Sequence, residues 1–155
     1  MKTINQWLAE YGESHQNPTN KTVHWVCVPL IFFSVVGLLY CIKLPFFSLG
    51  DIEGNVALIV LGLTLIYYFT LSKPLTVGLL LFASFCLYLC YLIEQSGFAP
   101  LSQVSITVFV LAWIGQFWGH KVEGKKPSFF KDLQFLMIGP AWLMSFIYQR
   151  LGIAI

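Results

Sequence analysis

Charge is what this sequence has least of. Only 10% of its 155 residues are Asp, Glu, Lys or Arg, where a soluble domain carries about a quarter. So few polar groups cannot clothe a water-soluble globule. With 57% of the chain apolar, the composition points to an integral membrane protein. Histidine is scarce too, with three in the chain, far fewer than membrane di-iron desaturases and hydroxylases use. No G-x-S-x-G elbow is present, which leaves a serine hydrolase without its nucleophile. No glycine-rich phosphate loop appears. The four cysteines, Cys27, Cys41, Cys86 and Cys90, lie inside or at the edge of apolar runs. They read as small buried hydrophobes rather than as a disulfide framework. The polar start MKTINQWLAEYGESHQ does not fit a cleavable signal peptide.

What is there in quantity is bilayer-length apolar sequence. Five segments stand out, at about 23–42, 55–71, 75–93, 104–118 (extended through His120) and 133–151, each near the roughly 20 residues that span hydrocarbon. Pro29 lies inside the first, Ser72–Lys73–Pro74 separates the second from the third, and Gly139–Pro140 interrupts the fifth. The fifth is therefore read either as a span or as a kinked or re-entrant helix. Ahead of them, residues 3–11 carry a capping-box pattern, Thr3 with Gln6, and an apolar face of Ile4, Trp7, Leu8 and Tyr11. That short helix either lies in the headgroup region or packs on its own protein. Residues 12–21 form a turn-rich connection, with Thr19 or Asn20 as cap of the next helix. The expected fold is all-α: an integral membrane helical bundle of four to five transmembrane helices plus the short amphipathic helix. It forms a single membrane-embedded domain over 1–155, with 1–21 interfacial and 119–132 a basic cytoplasmic loop.

The basic residues orient it. With five spans and the N-terminus inside, Lys2, Lys21, Lys73, Lys121, Lys125, Lys126 and Lys131 are cytoplasmic, and Lys43 and Arg150 are outside. This puts the C-terminus out, in a bacterial inner membrane or the endoplasmic reticulum. It also puts His24 and His120 on one side at one depth, with His15 before the first span on that side too. Three imidazoles at a lipid–water boundary suit a metal such as Zn, Cu, Fe or Ni, with positions left open for water, O2 or substrate. On the fourth segment, Gln116, His120 and Glu123 fall at i−4, i and i+3 and share a face. Gly115 and Gly119 form a small-xxx-small face that reads as helix packing. Asn17, Asn20, Gln116 and Glu123 are candidates to orient the rings. The lysines after His120 read as the positive-inside signal, or as a grip on a substrate carboxylate or phosphate.

Two motifs resemble those of the Mpo1-like family. The first is Tyr11, then His15-x4-Asn20-x3-His24, with Pro29 following. The second is Trp113-x2-Gln116-Phe117-x-Gly119-His120, followed by Glu123 and Pro127. In the family's eukaryotic pattern the acidic residue follows the second-motif histidine by four, and here Glu123 follows by three. The resemblance implies an iron(II)-dependent dioxygenase that removes one carbon from 2-hydroxy fatty acids by α-oxidation. It matches His15, His24 and His120 to the family's histidines, as metal ligands, and Asn20 and Gln116 to its polar positions. Our expected site therefore has Asn20, Gln116 and Glu123 as catalytic residues and Tyr11, Lys121 and Lys125 at the substrate. The implied partners are a 2-hydroxy fatty acid, O2 and membrane lipid, with no nucleic acid. Two alternatives stay open: a haem protein ligated by His24 and His120, and a non-catalytic membrane protein with incidental histidines.

Overall fold

The computed structural model describes residues 3–124 and 137–155. Among them are six helices and one two-stranded hairpin: α1 Ile4–Gly12, α2 Pro18–Tyr40, β1 Lys43–Leu49, β2 Ile52–Asn55, α3 Val56–Leu71, α4 Lys73–Ser96, α5 Leu101–Glu123 and α6 Gly139–Arg150. Three of these, α2, α4 and α5, are long and apolar enough to cross a membrane, and α3 is a shorter apolar helix. Their outward faces carry large apolar side chains such as Leu63, Ile66, Leu81, Leu111 and Ile114, as lipid contact requires.

Helix α1 starts at the anticipated capping box, with Thr3 and Gln6 exchanging backbone and side-chain hydrogen bonds. Its buried residues, Ile4 and Tyr11, pack on α6 and its neighbours. Of the two readings of α1, the structure therefore shows the helix packed on its own protein. Helix α2 begins at Pro18, several residues before the apolar run. Its cap is Asn17, whose side chain accepts from Thr19 N at 2.9 Å, not Thr19 or Asn20. Proline fits the first helical position because no partner exists there for its missing N–H. The first turn of α2 is polar helix, which apolar counting does not register.

The most extensive helix pairing is α2 with α5. Small residues permit it at three heights. A Cβ at Gly119 would come within 2.5 Å of Asn20 Oδ1, one at Gly115 within 2.7 Å of Cys27 Sγ, and one at Gly37 would collide with Ser105 Oγ. Gly115 and Gly119 are thus packing residues. Cys86 and Cys90 are buried in a core with Val36, Tyr40, Ala57 and Leu61.

Two features depart from expectation. After α2 the chain forms an antiparallel hairpin, pairing Leu49 with Ile52 and Ser48 with Glu53. Its two-residue turn holds Gly50 at φ +60°, the sign a type II′ turn needs at that position. The second is α6. At 12 residues it is about 18 Å long, against roughly 30 Å of hydrocarbon. Tyr148 Oη donates to Pro74 O at 2.7 Å, which returns the end of α6 to the start of α4. Ile155 packs in the cluster that holds Ile4 and Leu75. Helix α6, the described helix of the fifth segment, does not carry the chain across. Arg150 and the C-terminus stay on the side where α4 begins, a correction to the five-span reading.

Candidate metal centre

The histidines come from three places. His15 lies in the turn between α1 and α2, His24 in the second turn of α2, and His120 near the end of α5. All three are buried, and one ligand nitrogen from each lies within 4.8 Å of the others. Ring centroids are 4.2 Å apart for His15 and His24, 5.1 Å for His24 and His120, and 5.5 Å for His15 and His120. Helix count alone brought them to one side; the α2–α5 contact at Gly119 and the His15 turn bring them together.

Backbone carbonyls set the tautomers of two rings. His15 Nδ1 donates to Tyr11 O at 2.6 Å, and His24 Nδ1 donates to Asn20 O at 2.9 Å. A carbonyl oxygen only accepts, so each Nδ1 carries the proton and each Nε2 the lone pair. A carbonyl behind the ring is the orienting arrangement usual for metal-bound histidine. Two nitrogens held at about 2.0–2.2 Å from one ion lie roughly 3 Å apart, so a 4.8 Å limit leaves a gap that small ring rotations close. The donor set fits a metal ion.

Around the triad the other expected residues divide. Gln116 is buried beside the His24 ring. Asn20 is fully buried; its Nδ2 donates to Ser14 O at 3.2 Å and to Glu123 Oε2 at 3.0 Å. Both partners only accept, which fixes the amide with Oδ1 facing Gly119. Glu123 also accepts from Gln16 N at 2.8 Å and Asn17 N at 2.9 Å. Tyr11 stacks on His15 at 4.2 Å, with planes 5° apart. Lys121 is exposed in the last turn of α5. Lys125 and Lys126 lie outside the described residues, as does the basic loop beyond Gly124; its first residues, 119–123, are helix.

Sequence reading missed Trp142. From α6 its ring stands 5.3 Å from His15 and 5.2 Å from Tyr11, so His15 is walled by two aromatics. A Trp inside an apolar run carries no signal that it faces a histidine. The same wall adjoins an apolar cleft of about 500 Å³ between α2, α4 and α6, lined by Val28, Phe82, Leu143 and Tyr148 among others. Val28 and Leu143 pack with Tyr11 and Trp142. The cleft therefore begins about one side chain away from the His15 ring.

Comparison with known proteins gives a consistent result. The family model described as 2-hydroxy-palmitic acid dioxygenase Mpo1-like matches residues 1–151. The 2-hydroxy-palmitic acid dioxygenase MPO1 of Saccharomyces cerevisiae is 30% identical over 147 residues, covering 94% of this chain and 79% of the yeast protein. No solved structure matches.

Proposed function

The chain belongs to the Mpo1-like family, and from that premise we propose that it is an iron(II)-dependent dioxygenase that shortens 2-hydroxy fatty acids by one carbon at one face of the membrane. The observation that carries the reading is the buried triad of His15, His24 and His120 at one end of an apolar bundle. The conversion of a 2-hydroxy acid and O2 to the shortened acid, CO2 and water balances without a further reductant. Bound iron would supply the O2 chemistry that none of these side chains offers, and three protein ligands leave positions open for it.

The chain's own residues bind, orient and shield. The carbonyls of Tyr11 and Asn20 hold the rings of His15 and His24 in one tautomer. Gln116, on α5, stands beside the His24 ring, on the side of the nitrogen that faces the metal position. Tyr11 and Trp142 cover His15 and keep water from that side. The alkyl tail lies in the cleft beside Val28 and Leu143. A tail already in lipid gains little of the roughly 0.8 kcal/mol per CH2 that transfer from water gives, so selectivity rests on the head group, whose hydroxyl and carboxylate oxygens are adjacent. Among the described basic residues, Lys21, Lys73, Lys121 and Arg150 belong to the histidine end and Lys43 to the other. This supports a cytoplasmic site.

The haem alternative is disfavoured by His15. Its ring packs against both His24 and His120, in space a macrocycle between those two would need. The deciding experiment pairs elemental analysis of anaerobically purified protein with an assay on a 2-hydroxy fatty acid and its 3-hydroxy and unhydroxylated counterparts of equal length. Iron at one per chain and turnover of the 2-hydroxy acid alone are expected. Equal oxidation of all three would refute head-group selection, and a Soret band would restore the haem reading.

A further inference from the structure

We infer that Glu123 is a positioning residue: its carboxylate ties the end of α5 to the turn that carries His15, and this tie sets how tightly the three imidazoles hold their metal. The inference rests on the metal-centre reading above and goes beyond it, because it removes Glu123 from the reacting groups.

His15 is the one ligand of the three that no helix carries. Its local hydrogen bonds, His15 N to Gly12 O at 3.0 Å and Nδ1 to Tyr11 O, hold it to α1. Neither fixes it relative to His120. Glu123 does. It follows His120 by three residues, on the same face of α5. It accepts from the backbone N–H groups of Gln16 and Asn17, the two residues after His15, and from Asn20 Nδ2. Asn20 in turn holds Ser14 O, on the other side of His15. The turn is gripped before and after its histidine, and both grips end on one carboxylate.

The chemistry suits this task and not proton transfer. Both oxygens are committed to N–H donors at the start of α2. A carboxylate accepts on both oxygens, and such charge-assisted bonds are about twice as strong as neutral ones. The N-terminus of α2 further favours the negative charge. A glutamine here could accept on one oxygen only and would set its NH2 against a backbone N–H.

The test uses the full-length protein in detergent, anaerobically stripped and titrated with Fe(II), and with Co(II) as a spectroscopic probe. Wild type is compared with Glu123→Gln and Glu123→Asp. We expect Glu123→Gln to bind either metal about 10–100-fold more weakly, with Glu123→Asp in between. At saturating Fe(II) the rate per bound metal should return to within about threefold of wild type, whereas loss of a general base costs about 100-fold or more. The melting temperature of the stripped protein reports separately on folding, and Glu123→Asp keeps the test open should Glu123→Gln not fold. Unchanged affinity in both variants overturns the inference, as does a rate that stays low at saturation. A wild type that binds neither metal overturns the metal-centre reading and the inference with it, and is told apart because it needs no variant.

Discussion

The two ends of the helix bundle are built from similar material and treated differently. At the hairpin end, Lys43 pairs with Glu94 at 2.7 Å, both partly exposed, beside exposed Cys41. At the other end five polar side chains, those of His15, Asn20, His24, Gln116 and His120, are buried together. An exposed ion pair costs little and contributes about 0–1 kcal/mol. Buried polar groups are destabilising unless they find partners; at the histidine end α1, α2 and α5 supply most of these, with Asn20 Oδ1 left without a hydrogen-bond partner among the described residues. The contrast teaches that charge at a helix end is ordinary, whereas polarity withdrawn from water at a helix end has a task.

The comparison can be broken most directly at the triad. His120→Ala should abolish both metal binding and turnover, and His15→Ala and His24→Ala should do the same; full activity in any of them would remove the reason for treating the two ends as different. Next come Asn20→Ala and Gln116→Ala, expected to reduce activity by about 10–100-fold with the fold retained by circular dichroism. Wild-type rates in both would make these residues interfacial filler.

A finer comparison uses the glycines that let α2 approach α5. Gly37→Ala and Gly119→Ala both overpack the same helix pair and should each destabilise by about 1–3 kcal/mol. Only Gly119→Ala, which drives into Asn20, should also weaken metal binding. Equal effects on metal from both would mean that strain spreads along the whole pair. The smallest effect belongs to Lys43→Ala, which should change stability by no more than about 1 kcal/mol and leave turnover alone. A loss of turnover there would link the two ends.

Much of this was legible in the sequence, for physical reasons. Apolar runs located α2 to α5 because lipid demands contiguous hydrophobicity, and counting crossings put His15, His24 and His120 on one side. The Gln116–His120–Glu123 stripe followed from helical periodicity. Other features leave weaker marks. The hairpin announces itself only through Gly50–Asp51 between two short strands, a turn signal masked by the apolar segments around it. Residues 133–151 have a span's composition, but α6 is stopped short, and Tyr148 anchors its end back at Pro74. Trp142 is indistinguishable from a lipid-facing residue until tertiary packing places it at His15. Glu123 was placed on the correct face, yet its partners are backbone N–H groups more than 100 residues earlier, and backbone donors write nothing into a sequence.

The α2–α5 pairing has a mechanical consequence. His24 and His120 ride on two helices pressed together at three heights by small residues, so they form a fixed jaw whose opening is set by the whole length of the pair. His15, on its short turn, is the second jaw, held to the first through Glu123 and Asn20. On the proposed metal-centre reading, accommodation to ions of different radius would fall on residues 13–17. The gap between the jaws, rather than the identity of the three identical donors, would then set which divalent metal is held.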